Sequence, residues 1–408
     1  MSKDDIKDTS KKKIDIGKII STCGILGLIV VAMFGYVSQD KFINPISKDL
    51  NAIYKNKDTS INQKLKATKK TIESKTNDIF LKNTYINVNT AVDLSLGSPV
   101  VKDASQNVAK LNNGYLSFIY ANKGTSTQRA KYLIDVQESI KKTNPSTDLL
   151  YIQAPFKVSK YDKQLPSYIK ETSNLILDEF LQEIDGKVNY IDIREEMHND
   201  GLNQYDYFFK TDHHWTPEGA FYAYNKLTDY LQTNCDFKID STYTDINNFN
   251  VDVYKNWFLG SEGKRLGIVA TGLDDISLIY PKFDTDYVFD VPAKNIHREG
   301  TYYNSMFRLD QIEEKVLYVK NPYATYIGGD YPLNTIKNNV NTNGKKILLI
   351  RDSFGRPFAP LLSLVCEELD VLDLRYYKDM SIEDYVAKTN PDVVVFMNTR
   401  TPVLGYDR

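Results

Sequence analysis

Beyond residue 80 the apolar positions follow two periods. Residues 130–142, 173–184, 217–231, 357–365 and 382–388 repeat every three or four positions and predict helices. Residues 149–153, 188–193, 347–350, 369–374 and 392–396 are short apolar runs, the pattern of strands buried on both faces. Strands alternating with helices predict an α/β fold with a doubly wound parallel sheet. Between residues 236 and 343 the alternation vanishes. That stretch is rich in Tyr, Asn and Asp, holds only short apolar runs such as 276–280, and reads as a mostly β insertion.

The N-terminus follows a different rule. Residues 19–37 carry no charge and are long enough to span a bilayer as one helix. Lys3, Lys7, Lys11, Lys12, Lys13 and Lys18 precede them, so residues 1–18 are expected to stay cytoplasmic and everything after about Ser38 to lie outside. The exit Gly35-Tyr36-Val37-Ser38-Gln39-Asp40 lacks a small-x-small cleavage site, which favours an uncleaved transmembrane anchor over a signal peptide. Residues 38–79 then read as a stalk or solvated linker, and 80–408 as the main folded domain with its insertion at 236–343.

Composition narrows the classes. A chain of 408 residues, 42% hydrophobic and 12% aromatic, can bury a sizeable core. A net charge of -2 gives no reason to expect a nucleic-acid partner. Cys23, Cys235 and Cys366 are too few and too scattered for a disulfide framework or a thiolate metal site.

Candidate chemistry is concentrated in Thr211-Asp212-His213-His214-Trp215-Thr216-Pro217-Glu218, which holds two of the four histidines and one of the two tryptophans. Thr216 is placed to cap a helix opening with Pro217 and Glu218. If the loop before it is extended, Asp212 and His214 share one face and His213 points to the other. A carboxylate that holds one imidazole nitrogen leaves the other free to act as a base. The matching nucleophile is Ser353, at the turn after the apolar strand in Lys346-Ile347-Leu348-Leu349-Ile350-Arg351-Asp352-Ser353-Phe354-Gly355. That turn lies at the carboxyl edge of the expected sheet, where sites are built. Taken alone, Ser before a helix is more often a plain N-cap; the Asp-x-His loop raises it above that reading.

Together these residues resemble a known family. Asp212-His213-His214-Trp215 followed by Asp352-Ser353-Phe354 resembles the DHHW proteins and the alginate O-acetyltransferases AlgJ and AlgX, within the SGNH hydrolase superfamily. Asn113-Gly114-Tyr115-Leu116, Ala154-Pro155-Phe156-Lys157 and Gly328-Gly329-Asp330-Tyr331-Pro332 resemble further segments of that family. The resemblance implies Ser353 as nucleophile, His214 as base and Asp212 as its orienting partner, on a circularly permuted SGNH-like sheet. It implies O-acetylation of a cell-surface or exported polysaccharide, with no bound cofactor and with acetyl supplied by a multipass membrane O-acyltransferase partner of the MBOAT type. A carbohydrate acetyl esterase and a non-catalytic polysaccharide-assembly subunit are the alternatives, because the same triad serves transfer and hydrolysis.

The remaining candidates carry less. Gly329, in a Gly-Gly loop, and Asn398, at the end of a strand, are expected as oxyanion or substrate contacts beside the Ser353 backbone N–H. Asp212, His213, His214 and Glu218 include ligand types but match no metal-binding spacing, so no metal is expected. His198 and His297 sit among charges and read as solvated. Gly260-Ser261-Glu262-Gly263-Lys264-Arg265 is not a P-loop and reads as a turn near the cleft at most. Tyr302, Tyr303, Tyr323, Tyr326 and Tyr331 are read either as a stacking floor for sugars or as packing.

Overall fold

The computed structural model describes residues 26–27, 40–55, 60–61, 63–64, 67–68, 82–98, 100–101, 107–120 and 126–399. The chain divides into two compact units, residues 1–98 and 99–408. In the first, the described elements include helices α1 (Asp40–Lys55) and α2 (Lys82–Ser95). Residues 1–18 and the expected anchor at 19–37, apart from Leu26 and Gly27, lie outside the described residues. Among the described residues no helix is long and apolar enough to cross a membrane.

The second unit is built on an eight-stranded sheet. Its parallel half contains β4 (Asp148–Gln153), β5 (Asn189–Asp192), β11 (Lys346–Arg351), β12 (Glu368–Leu372) and β13 (Val393–Asn398), in the order β5-β4-β13-β11-β12. The runs that form β4, β11 and β13 are apolar almost throughout because both faces are covered. Leu150, Ile152, Ile347, Leu349, Val393 and Val395 join one core, whereas Leu149, Tyr151, Leu348, Ile350, Val394 and Phe396 join the other. Helices α3 (Ser126–Thr143), α4 (Ser173–Ile184) and α10 (Ile382–Thr389) contribute to the second core. Helices α6 (Pro217–Asn234) and α9 (Gly355–Leu362) contribute to the first.

The expected wholly parallel sheet is corrected to a mixed one. Strands β8 (Tyr287–Val291), β9 (Ile296–Gly300) and β10 (Leu333–Asn338) come from the 236–343 stretch and continue the sheet past β12, each pairing antiparallel. Residues of β8 and β10 alternate buried and more exposed, and those of β9 alternate part-exposed and exposed, the signature of antiparallel strands with one wetter face. Charged Arg298 and Glu299 and the exposed His297 mark β9 as the edge. The same stretch also supplies the hairpin of β6 (Phe249–Phe258) and β7 (Asp274–Pro281) and the short helices α7 (Ser261–Leu266) and α8 (Tyr302–Met306). A small sheet of β1 (Val100–Val101), β2 (Val108–Lys110) and β3 (Leu116–Phe118) precedes α3, and α5 (Ile193–Asn199) follows β5 directly.

Candidate active site

The Asp-x-His loop is closed at its base by an antiparallel bridge between Phe208 and Trp215. Thr216 accepts from Gly219 N at 3.3 Å, capping α6 as its spacing predicts. The loop tip is pinned by Asp274 at the start of β7: the carboxylate accepts from Lys210 N at 2.7 Å and Thr211 N at 2.8 Å. These bonds bend the loop, so it is not extended and the alternation argument fails for His213. Instead of facing away, the His213 ring lies 3.9 Å from that of His214 and lines the cleft beside Ser353.

Asp212, His214 and Ser353 are brought into one hydrogen-bonded chain. His214 Nε2 lies 2.7 Å from Ser353 Oγ, and His214 Nδ1 lies 2.5 Å from Asp212 Oδ1. The His214 backbone N–H donates to the same Asp212 oxygen at 3.1 Å, while Ser261 N–H donates to the other at 2.6 Å. Burial alone would raise the Asp212 carboxyl. Electrostatic interaction with the His214 and His213 rings and the hydrogen bonds from His214 and Ser261 outweigh it and hold the carboxyl well below its usual range. Asp212, His213 and His214 also place three donor atoms within 4.8 Å of one another, close enough to share a metal ion. As bonded here, both ring nitrogens of His214 are engaged within the Asp–His–Ser chain.

Ser353 is not a helix cap. The residue at the start of α9 is Phe354, which makes no side-chain cap bond, and Ser353 Oγ reaches His214 instead. Its neighbours hold the turn. Asp352 accepts from Phe354 N at 3.0 Å and, with its other oxygen, from Thr399 N at 2.8 Å, tying the turn to the end of β13. Trp215, fully buried, donates from Nε1 to the Phe354 carbonyl at 3.0 Å, so the Trp of the motif fastens the histidine loop to the serine turn. Tyr323 stacks on the His214 ring at 4.2 Å.

Two contacts were not legible beforehand. The Gly260–Gly263 segment, read as a turn, forms the entry to α7 and packs on Asp212; a Cβ on Gly260 would fall 2.1 Å from Asp212 Cβ. Only glycine permits the Ser261 N–H to approach that carboxylate. Glu262, in the same turn, is fully buried and pairs with Lys157 at 2.5 Å; its other oxygen accepts from Phe118 N at 2.8 Å. Lys157 also donates to the Leu116 carbonyl at 2.6 Å. The Gly-x-x-Gly spacing around Glu262 was the available signal.

The chain opens into a cleft of about 290 Å³, with Phe118, Tyr120, Phe156, Lys157, His213 and Arg375 in its walls around Ser353. Gly329 and Asn398, expected as oxyanion contacts, are not among the residues lining it. Gly329 adopts φ +147°, and its carbonyl accepts from Arg351 at 3.1 Å. The neighbouring Asp330 receives Arg351, Arg356 and Arg375 at 2.5, 2.8 and 3.0 Å. Burial raises the Asp330 carboxyl, but hydrogen bonding from Arg356 and the guanidinium charges pull it far below its usual range. Asn398 is buried; its carbonyl accepts from Ala154 N at 3.1 Å, and it lines a separate small cavity with Arg351 and Asp373. The tyrosines do not form a floor: Tyr302, Tyr323, Tyr326 and Tyr331 are buried, and only Tyr303 is half-exposed. His198 and His297 are exposed, the latter held between Asp290 and Glu299.

The mixed α/β sheet with these motifs at its carboxyl edge is similar to the SGNH hydrolase-like domain. Residues 117–244 match the family model described as the SGNH hydrolase-like domain of the acetyltransferase AlgX, a span that includes Asp212 and His214 and ends before Ser353. Among solved structures the chain is similar to a DHHW family protein from Eubacterium siraeum, at 19% identity over 73% of this chain and 92% of that one, with a TM-score of 0.57. It is also similar to Bacillus cereus PatB1, at 22% identity over 74% and 95% with a TM-score of 0.60. The same protein with a sulfonyl adduct matches at 21% over 73% and 96%, with a TM-score of 0.61. No curated protein sequence matches the chain. The resemblance to the DHHW and AlgJ/AlgX proteins drawn from the sequence is borne out.

Proposed function

We propose that this protein is an extracytoplasmic, membrane-anchored serine O-acyltransferase that acetylates a cell-surface or exported polysaccharide. The observation that carries the reading is the bonded chain Asp212–His214–Ser353 opening into an aromatic-walled cleft. Ser353 Oγ attacks the donor's acyl carbonyl while its proton passes to His214 Nε2, and the departing group takes that proton. A sugar hydroxyl then attacks the acyl-serine, giving its proton to His214, which returns it to Ser353. The Ser353 N–H, without a partner among the described residues, is the backbone donor for the developing oxyanion. The family model's description as an acetyltransferase supports the acyl group, and a membrane O-acyltransferase partner would supply it outside the cell. The lysine-flanked segment 19–37 supports the location.

The test is product analysis with an aryl acetate as donor and oligosaccharides of different composition as acceptors. Acetylated oligosaccharide that depends on Ser353 is the expected result. Free acetate alone, accelerated when acetylated oligosaccharide is the substrate, would make the protein an esterase. Binding with neither product would make it an assembly subunit.

A further inference from the structure

The DHHW-type loop carries two histidines, and the chain through Ser353 uses only the second. His213 is half-buried in the cleft wall, with its ring against His214 at 3.9 Å and Phe118 at 5.6 Å. Its Nδ1 lies 2.9 Å from Ser261 Oγ, and Ser261 is the residue whose N–H holds Asp212. The ring is therefore fixed by the same turn that fixes the base. Both of its polar contacts among the described residues are made by Nδ1, which also lies 3.7 Å from Asp212 Oδ1, and its Nε2 makes none. Burial, followed by the charge of neighbouring His214, pushes His213 down to about 3, so it stays a neutral imidazole with one N–H to offer.

We infer that His213 is the acceptor-positioning residue of this cleft, holding the oxygen of the incoming hydroxyl with its Nε2–H while the hydroxyl proton faces His214. The inference rests on the acyl-transfer reading above. In the tautomer with the Ser261 hydroxyl donating to Nδ1, the ring proton is on Nε2 and binds a lone pair of the hydroxyl without competing for its proton. The hydroxyl oxygen bonds to the acyl carbon and its proton moves to His214 Nε2. The bond from that carbon to Ser353 Oγ then breaks, and Ser353 regains the proton from His214. The products are the acceptor ester and free serine. Water can make the same attack, so the held hydroxyl gains over water by the worth of the extra contact.

The experiment uses the full chain, p-nitrophenyl acetate as donor and molar glycerol as the probe acceptor, and reads the ratio of glyceryl acetate to acetate. Both products leave one acyl-enzyme, so the ratio is indifferent to how fast that species forms and a packing defect that slows acylation does not move it. His213→Phe, which keeps the ring and removes its nitrogens, is expected to lower the ratio about fivefold or more, the scale of one lost hydrogen bond. His213→Gln, which restores a donor near the Nε2 position, is expected to recover a substantial part. A sulfonyl fluoride applied to the same preparations reports whether Ser353 is still reactive. Labelled His213→Phe protein with a wild-type ratio overturns the role of His213 alone, as does labelled wild-type protein that makes no glyceryl acetate. Wild-type protein that is neither labelled nor active overturns this inference together with the serine mechanism.

Discussion

Asp212→Asn is expected to lower kcat/KM for aryl acetate hydrolysis by about 10⁴ while leaving the melting transition in place, the scale on which a Ser-His-Asp triad depends on its carboxylate. The amide oxygen can still accept from Ser261 N–H, so the turn around Gly260 survives the change. What is lost is the negative charge 2.5 Å from His214 Nδ1, which favours the tautomer with a basic Nε2 and stabilises the imidazolium as it forms. Steady-state kinetics beside a thermal melt separate the two effects. Activity within tenfold of wild type would mean that Asp212 does not orient His214.

Lys157→Met is expected to destabilise the fold by about 3–5 kcal/mol, because it leaves Glu262 buried without its cation. Burial pushes Glu262 up to about 7 even with the Lys157 charge beside it. A carboxyl whose folded pKa lies above its ordinary 4.5 binds a proton more readily folded than unfolded. Its contribution to stability is therefore greatest below that ordinary value and declines as the pH rises through about 7. Removing Lys157 raises the carboxyl further, so the variant should lose less stability near pH 5 than near pH 8. Denaturant midpoints at the two pH values measure this. Replacing Glu262 by Met as well should restore much of the loss.

The parts of the fold legible in the sequence were those fixed by local pattern. The runs that became β4, β11 and β13 are apolar without interruption because both sheet faces are covered, and no long-range knowledge was needed to find them. The turn carrying Ser353 followed from its place between one such strand and a helix. Strands β8, β9 and β10 were harder, because their polar positions face a wetter side and their partners lie far away in sequence: β10 pairs with β12 across more than thirty residues. The same distance hid Glu262 and Gly260, whose roles exist only once α7 is laid against the histidine loop. Gly329 and Asn398 were assigned from residue type and edge position alone. Gly329 and its neighbour Asp330 instead engage an arginine cluster, and the Asn398 carbonyl binds back to the end of β4, contacts that no local pattern encodes.

An activated Ser353 nucleophile is tested most directly by the intact mass of the full chain after brief exposure to a sulfonyl fluoride, the class of adduct carried by the PatB1 structure, whose fold is similar. One sulfonyl group per chain is expected, mapped to Ser353 by peptide analysis, absent from Ser353→Ala and formed much more slowly in His214→Ala. Folded wild-type protein that takes up no reagent, or a Ser353→Ala variant that is labelled as fast as wild type, would contradict it.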